Sequence, residues 1–283
     1  MNLNDKALLV QLTISQWTAR KYDKRATSEV AANHNAIEQA GRYNKALLPM
    51  NDYLANVMTK TGLIRQRYLT NTLPWGIEGT RILPSANYLA FMTDFRTLKG
   101  EWLSLVNDFV GNYGTLRANA RTYLGSLYDD ADYPHDSAIA AKFGIDMAVF
   151  PVPATDFRVA LSAAETDAIR SSLEARLNEA QATAMREVWT RLYDKVHCII
   201  ERLSDPDSRF HNSLIENARE LCELLPRLNL TDDPNLEAMR MAVEQKLTAY
   251  DPSAIRADVT LRRTVAEDAS EIADAMRAFM GGL

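Results

Sequence analysis

The sequence predicts a mostly helical α+β protein, a bundle of long helices carrying a small antiparallel sheet of two to four short strands. Three observations predict it. Residues 162–205 contain neither Gly nor Pro, and Ile169, Leu173, Leu177, Ala180, Ala184, Val188, Leu192, Val196 and Ile199 recur along one helical face. Residues 85–112 repeat that period through Leu89, Met92, Phe95, Leu98, Trp102, Leu105 and Phe109. By contrast, Leu8, Val10, Leu12 and Ile14 follow the period of two that gives a strand one buried face.

In chain order, the strand at 8–15 leads into the basic, aromatic-flanked run Trp17–Arg25. A helix is expected from Thr27 to Gly41, with the glycine as its stop, and a second from Asn51 to Thr70. Residues 71–84 hold two Pro and two Gly and read as a loop with a short strand at 81–83. In that loop Trp75 is expected to anchor the chain to the helices, with a ligand platform as the alternative. The helix from Ser85 is expected to break at Gly111 and Gly114 before continuing to Leu127. The acidic run 129–134 lacks the central Gly and terminal Glu of a calcium loop. A short helix is expected at 136–142. Residues 145–149 and 157–161 then alternate as a hairpin-like pair before the long helix.

Ser162 and Glu165 stand at the spacing of a capping box, so the long helix starts there and runs for roughly 60 Å at about 1.5 Å per residue. Ser204-Asp-Pro-Asp breaks it. A helix over 208–225 should stop at Pro226, and Asp233-Pro234 and Asp251-Pro252 start helices over 234–248 and 253–280. The last of these reads as a terminal packing helix, with docking peptide as the alternative. The chain divides most simply into a basic part, 1–161, and an acidic helical part, 162–283, which can also form one continuous domain.

At 283 residues and 47% hydrophobic content the chain has ample material for a core. No apolar run is long enough to cross a bilayer, and no cleavage site follows the first apolar stretch, so a cytoplasmic protein is expected. Cys198 and Cys222 both occupy helical positions and read as reduced core thiols. The net charge of −5 conceals 15 Lys/Arg against 9 Asp/Glu up to Gly125, and 17 against 28 beyond it. One half can therefore meet an anionic partner.

Catalytic signatures are missing. The four histidines are scattered, with no HExxH spacing, and there is no GxxxxGK[ST], GxGxxG or GxSxG. No enzyme activity, metal or cofactor is expected. What remains is a set of cations interleaved with rings: Trp17, Arg20, Lys21, Tyr22, Lys24, Arg25, Arg42, Tyr43 and Lys45, continued by Arg65, Arg67 and Tyr68. Such side chains neutralise phosphates and stack on bases without reading sequence. The competing reading makes Trp17 and Tyr43 core anchors and pairs the cations with Glu29 and Glu38.

Several blocks go beyond generic helix: ISQWTARKYDKRAT at 14–27, AGRYNKALLP at 40–49 and LPWGIEGTRILPSANY at 73–88. DADYP at 130–134, PVPATDFRV at 151–159 and SLIENARELCELLPRLN at 213–229 belong with them. Together they resemble an uncharacterised, helix-rich protein family of bacteriophages and prophages. The resemblance supplies no activity and no catalytic residues. It implies a phage origin, a setting inside the infected host cell, and a role in phage DNA metabolism, transcription or takeover. The resulting expectation is a non-enzymatic protein that binds single-stranded DNA, with RNA as a second ligand, and that forms homo-oligomers. The alternatives are a helical scaffold or adaptor docking on a phage or host polymerase or ATPase, and a virion component.

Overall fold

The computed structural model describes residues 3–154, 162–205 and 208–280. In chain order the elements begin with α1 (Leu3–Lys6), β1 (Ala7–Ser15), β2 (Arg20–Tyr22), α2 (Lys24–Asn33), β3 (Asn44–Ala46) and α3 (Asp52–Asn71). Next come β4 (Leu73–Pro74), β5 (Thr80–Pro84), α4 (Ser85–Leu124) and β6 (Gly144–Pro151). The remainder is helical: α5 (Ala163–Leu203), α6 (Ser213–Leu228), α7 (Pro234–Lys246), α8 (Pro252–Ala257) and α9 (Val259–Met280). The predicted class, mostly α with a small antiparallel sheet, is what the chain forms. One sheet has the order β4-β5-β1-β6, and a separate two-stranded ribbon pairs β2 with β3.

Two compact units interleave along the chain. The first comprises Met1–Gln11, Leu69–Phe91 and Ala148–Leu283, the second Leu12–Tyr68 and Met92–Met147. β1, α3, α4 and β6 each pass from one to the other, so the division follows no single cut along the chain.

In the first unit, the capping box at the start of α5 is complete: Ser162 Oγ accepts from Glu165 N, and the Glu165 carboxylate reaches back to Ser162 N. From Ala180 onward the stripe Ala184, Val188, Trp189, Leu192, Val196 and Ile199 is buried in one core with Ile215, Leu225, Val243, Val265, Ala269 and Met276. Trp189 donates its indole N–H to Asp233 Oδ2 at 3.0 Å, the residue that also caps α7. Arg191 fans its guanidinium over the carbonyls of Leu69, Thr70 and Thr72. Trp75 packs half-buried against this core, in the anchoring role expected of it.

In the second unit, α3 and α4 enclose a core of Val57, Ile64, Trp102, Phe109 and Tyr113. The ring of Trp17 meets Tyr113 edge-on, with centroids 5.6 Å apart, and lies 6.2 Å from Phe109.

Several boundaries differ from the sequence reading, each for a physical reason. α4 runs unbroken through Gly111 and Gly114. A mid-helix Gly costs about 1 kcal/mol against Ala, less than the burial of the flanking Phe109, Tyr113 and Leu116 returns. Pro226 lies inside α6, which ends at Leu228, because in the last turn proline removes only one helical bond while Leu225 and Leu228 stay buried. α2 stops at Asn33, well short of Gly41, and Asn35 takes a left-handed φ of 51° that no helix tolerates. Asp258 divides the terminal helix into α8 and α9, its carboxylate accepting from Thr260 N and Leu261 N. The helix expected at 136–142 is a 3-10 turn at Ala140–Lys142. Of the two thiols only Cys222 is a core residue, its pKa pushed up to about 12 by burial, whereas Cys198 is exposed. The strand expected at 157–161 lies outside the described residues.

Candidate nucleic-acid interface

The basic run folds as a ribbon followed by a helix, and this geometry sorts its side chains. Successive residues of a strand point to opposite faces, so Arg20 and Tyr22 share one face of β2 and Lys21 takes the other. The β2–β3 register sets Lys21 directly opposite Lys45 and Tyr22 opposite Asn44. Two ammonium groups facing each other across strands repel. Asp132, from the acidic run, resolves the conflict: its Oδ1 accepts from Lys21 Nζ at 2.5 Å, and its Oδ2 lies 2.6 Å from Lys45 Nζ. The second contact is a charge contact without hydrogen-bond alignment. Lys45 also lies 3.0 Å from Asp23 Oδ2 and donates to the Leu127 carbonyl at 2.7 Å.

Lys45 is only 5% exposed, so it is a structural cation, unavailable to a phosphate in this conformation. Burial acts to lower its pKa, and the bonds to Asp132 and Asp23 outweigh that and raise it. Asp132 is the mirror case: burial alone would raise its pKa, and the two ammonium groups hold it below the ordinary value. Asp23 is lowered first by the backbone N–H of Ala26, which it caps at the start of α2, and then by Lys45.

On the outer side the picture changes. Arg20, Lys24 and Arg42 are exposed, and among the described residues no carboxylate pairs with them. Arg42 stacks its guanidinium 4.7 Å above the Tyr22 ring, and Tyr22 and Tyr43 remain 37% and 39% exposed. Beside them a cleft of about 370 Å³ opens between α2 and the segment 34–43. Val30, Ala31 and Ile37 form its apolar walls, His34 and Glu38 add polar groups, and Arg42 and Tyr43 form its rim. Thr27 ties that rim to α2: its hydroxyl accepts from Tyr43 N and donates to the Asp23 carbonyl.

The other expected site residues have different settings. Trp17 is half-buried among Phe109 and Tyr113, in the anchor role weighed against stacking. Arg25 is drawn to Glu29 and to the Ser126 carbonyl. Arg65 and Arg67 are exposed on α3, and Tyr68 is buried. Sequence reasoning missed Asp132 as the counter-charge and Val30 and Ile37 as cleft walls. Two apolar residues left over in a polar stretch were the only signal for the walls, and nothing local marks an acid so distant in sequence.

No protein-family model, no curated protein and no solved structure matches the chain. Among the described residues no helix is long and apolar enough to cross a membrane.

Proposed function

We propose that this chain is a non-enzymatic binder of single-stranded nucleic acid, DNA first, acting in phage replication or transcription inside the infected host cell. One observation carries the reading: Arg42 stacked on an exposed Tyr22, with Tyr43 at the rim of an apolar cleft and unpaired Arg20 and Lys24 close by in the chain. Ring faces of this kind contribute on the order of 1–3 kcal/mol per stacked base, whatever the base. The cations neutralise phosphates and release counterions. The contacts of Asp132 with the exposed Lys21 and the buried Lys45 support the reading in a second way, since they fix the ribbon that presents these groups.

A salt titration with fluorescent oligo-dT tests it. Three phosphate contacts on a single strand give a slope of log K against log salt of about −2. The Arg20→Ala/Lys24→Ala/Arg42→Ala variant should lose at least tenfold in affinity at low salt while keeping its circular dichroism and melting temperature. An affinity that ignores salt, or survives the triple substitution, removes the reading.

A second reading, self-association, is favoured by the first turns of α5. Ala163–Glu179 has no fully buried residue, and ahead of Leu177, which packs against the core, it carries Ile169 and Leu173 on one stripe flanked by Asp167, Arg170, Glu174 and Arg176. That mixture of signs suits a second copy of the same helix. Light scattering decides it: a 31.8 kDa particle at micromolar concentration leaves the stripe without that role.

A further inference from the structure

In the acidic half of the chain a cavity of about 360 Å³ opens where α5 ends and α6 begins. Lys195, Cys198 and Arg202, at i, i+3 and i+7, put one face of α5 on it. Arg209 and His211 come from the connecting segment, and Ser213 and Asn217 from the first turns of α6. Phe210 and Leu214 give it an apolar wall. No carboxylate is among the described residues that line it, and none pairs with Lys195, Arg202 or Arg209. Three cations around one cavity repel one another unless an anion joins them.

The surroundings are built to hold that arrangement. The C-terminal end of a helix presents carbonyl oxygens that repel anions. At the end of α5 those oxygens are already taken: Arg262 donates to the carbonyls of Arg202, Leu203, Asp205 and Ser208. Arg256 donates to Asn212 Oδ1 at 2.7 Å, and with Arg262 it brackets the Phe210 ring at 5.3 and 5.7 Å. Two arginines therefore secure the connecting segment from the protein side, while three other cations face the cavity.

We infer that this cavity binds a phosphate monoester on a small body, of the size and charge of a nucleoside monophosphate. The volume lies at the small end of ligand pockets, about 300–1,000 Å³. A monoester carries a charge of about −1.5 to −2 near neutral pH, against −1 for a diester, and so answers three cations better than a polynucleotide backbone does. The apolar wall suits the organic body. This site lies in a different unit from the ribbon, and its success or failure is independent of the nucleic-acid reading.

Isothermal titration of the full chain tests it with AMP, inorganic phosphate, adenosine and cyclic AMP as probes. AMP should bind, inorganic phosphate should compete with it, cyclic AMP should bind at least tenfold more weakly, and adenosine should give no heat. Phosphate binding as tightly as AMP would assign the site to the free ion and overturn the organic body. Arg202→Gln/Arg209→Gln should weaken AMP at least tenfold, with melting temperature and oligo-dT affinity unchanged. AMP binding that survives the double variant, equals that of adenosine, or is undetectable at millimolar concentration overturns the inference.

Discussion

At position 61 a hydroxyl accepts the indole N–H of the buried Trp102 at 2.8 Å and offers its own proton to Gln16 Oε1 or the Val57 carbonyl. Thr61→Val keeps the shape and leaves the indole donor without a partner. The expected loss is about 1–3 kcal/mol in urea unfolding; a change under 0.5 kcal/mol would mean that the donor finds another acceptor. Asp132 matters for charge rather than shape. Asp132→Ala leaves Lys21 and Lys45 opposed across the ribbon with only Asp23 to offset them, and about 3 kcal/mol should be lost. The pH dependence follows from the same contacts. The folded pKa values of Asp23 and Asp132 lie below the ordinary 3.8, so their stabilisation is complete above that value and disappears as pH falls through the lower folded values. Lys45 is raised above 10.5, so its share is complete below that and disappears as pH rises through the folded value. Equilibrium unfolding from pH 2 to pH 6 should show the acid limb, and Asp132→Ala should flatten it.

Helices were the most legible elements, because their caps and stripes are local. Ser162 and Glu165 announce the start of α5 three residues apart, and the structure closes that box. Ser162→Ala should cost the first turns about 1 kcal/mol, seen as faster amide exchange over Ala163–Glu179 with global stability nearly constant. Unchanged exchange would show that other contacts fix this end. Where local rules failed, burial had outweighed them: Gly111, Gly114 and Pro226 are helix breakers in isolation and helix residues here. The ribbon failed differently. Three-residue strands offer too few positions for a period of two to stand out, so Lys45 reads as a surface cation beside Arg20, Lys21 and Arg42. Its burial beside Asp23 and Asp132 is what separates it from them.

At the scale of the whole chain, two interleaved units carry two surfaces of the same sign in different chemical settings. The charge imbalance between the halves was readable from composition and pointed to the first surface. It hid the second, because Lys195, Arg202 and Arg209 belong to a half whose net charge is negative. The cleft beside Tyr43 was likewise unreadable, since its walls meet only after α2 ends at Asn33 and the chain turns back at Asn35.

The location of a bound strand is the most direct test of the central claim. An oligonucleotide carrying 5-iodouracil is irradiated on the full chain at low salt, and the adducts are mapped by mass spectrometry. Crosslinks should fall on Tyr22, Tyr43 or His34 and vanish in the presence of excess unlabelled oligo-dT. A bound, protected oligonucleotide whose adducts all lie outside residues 20–45 would contradict the account.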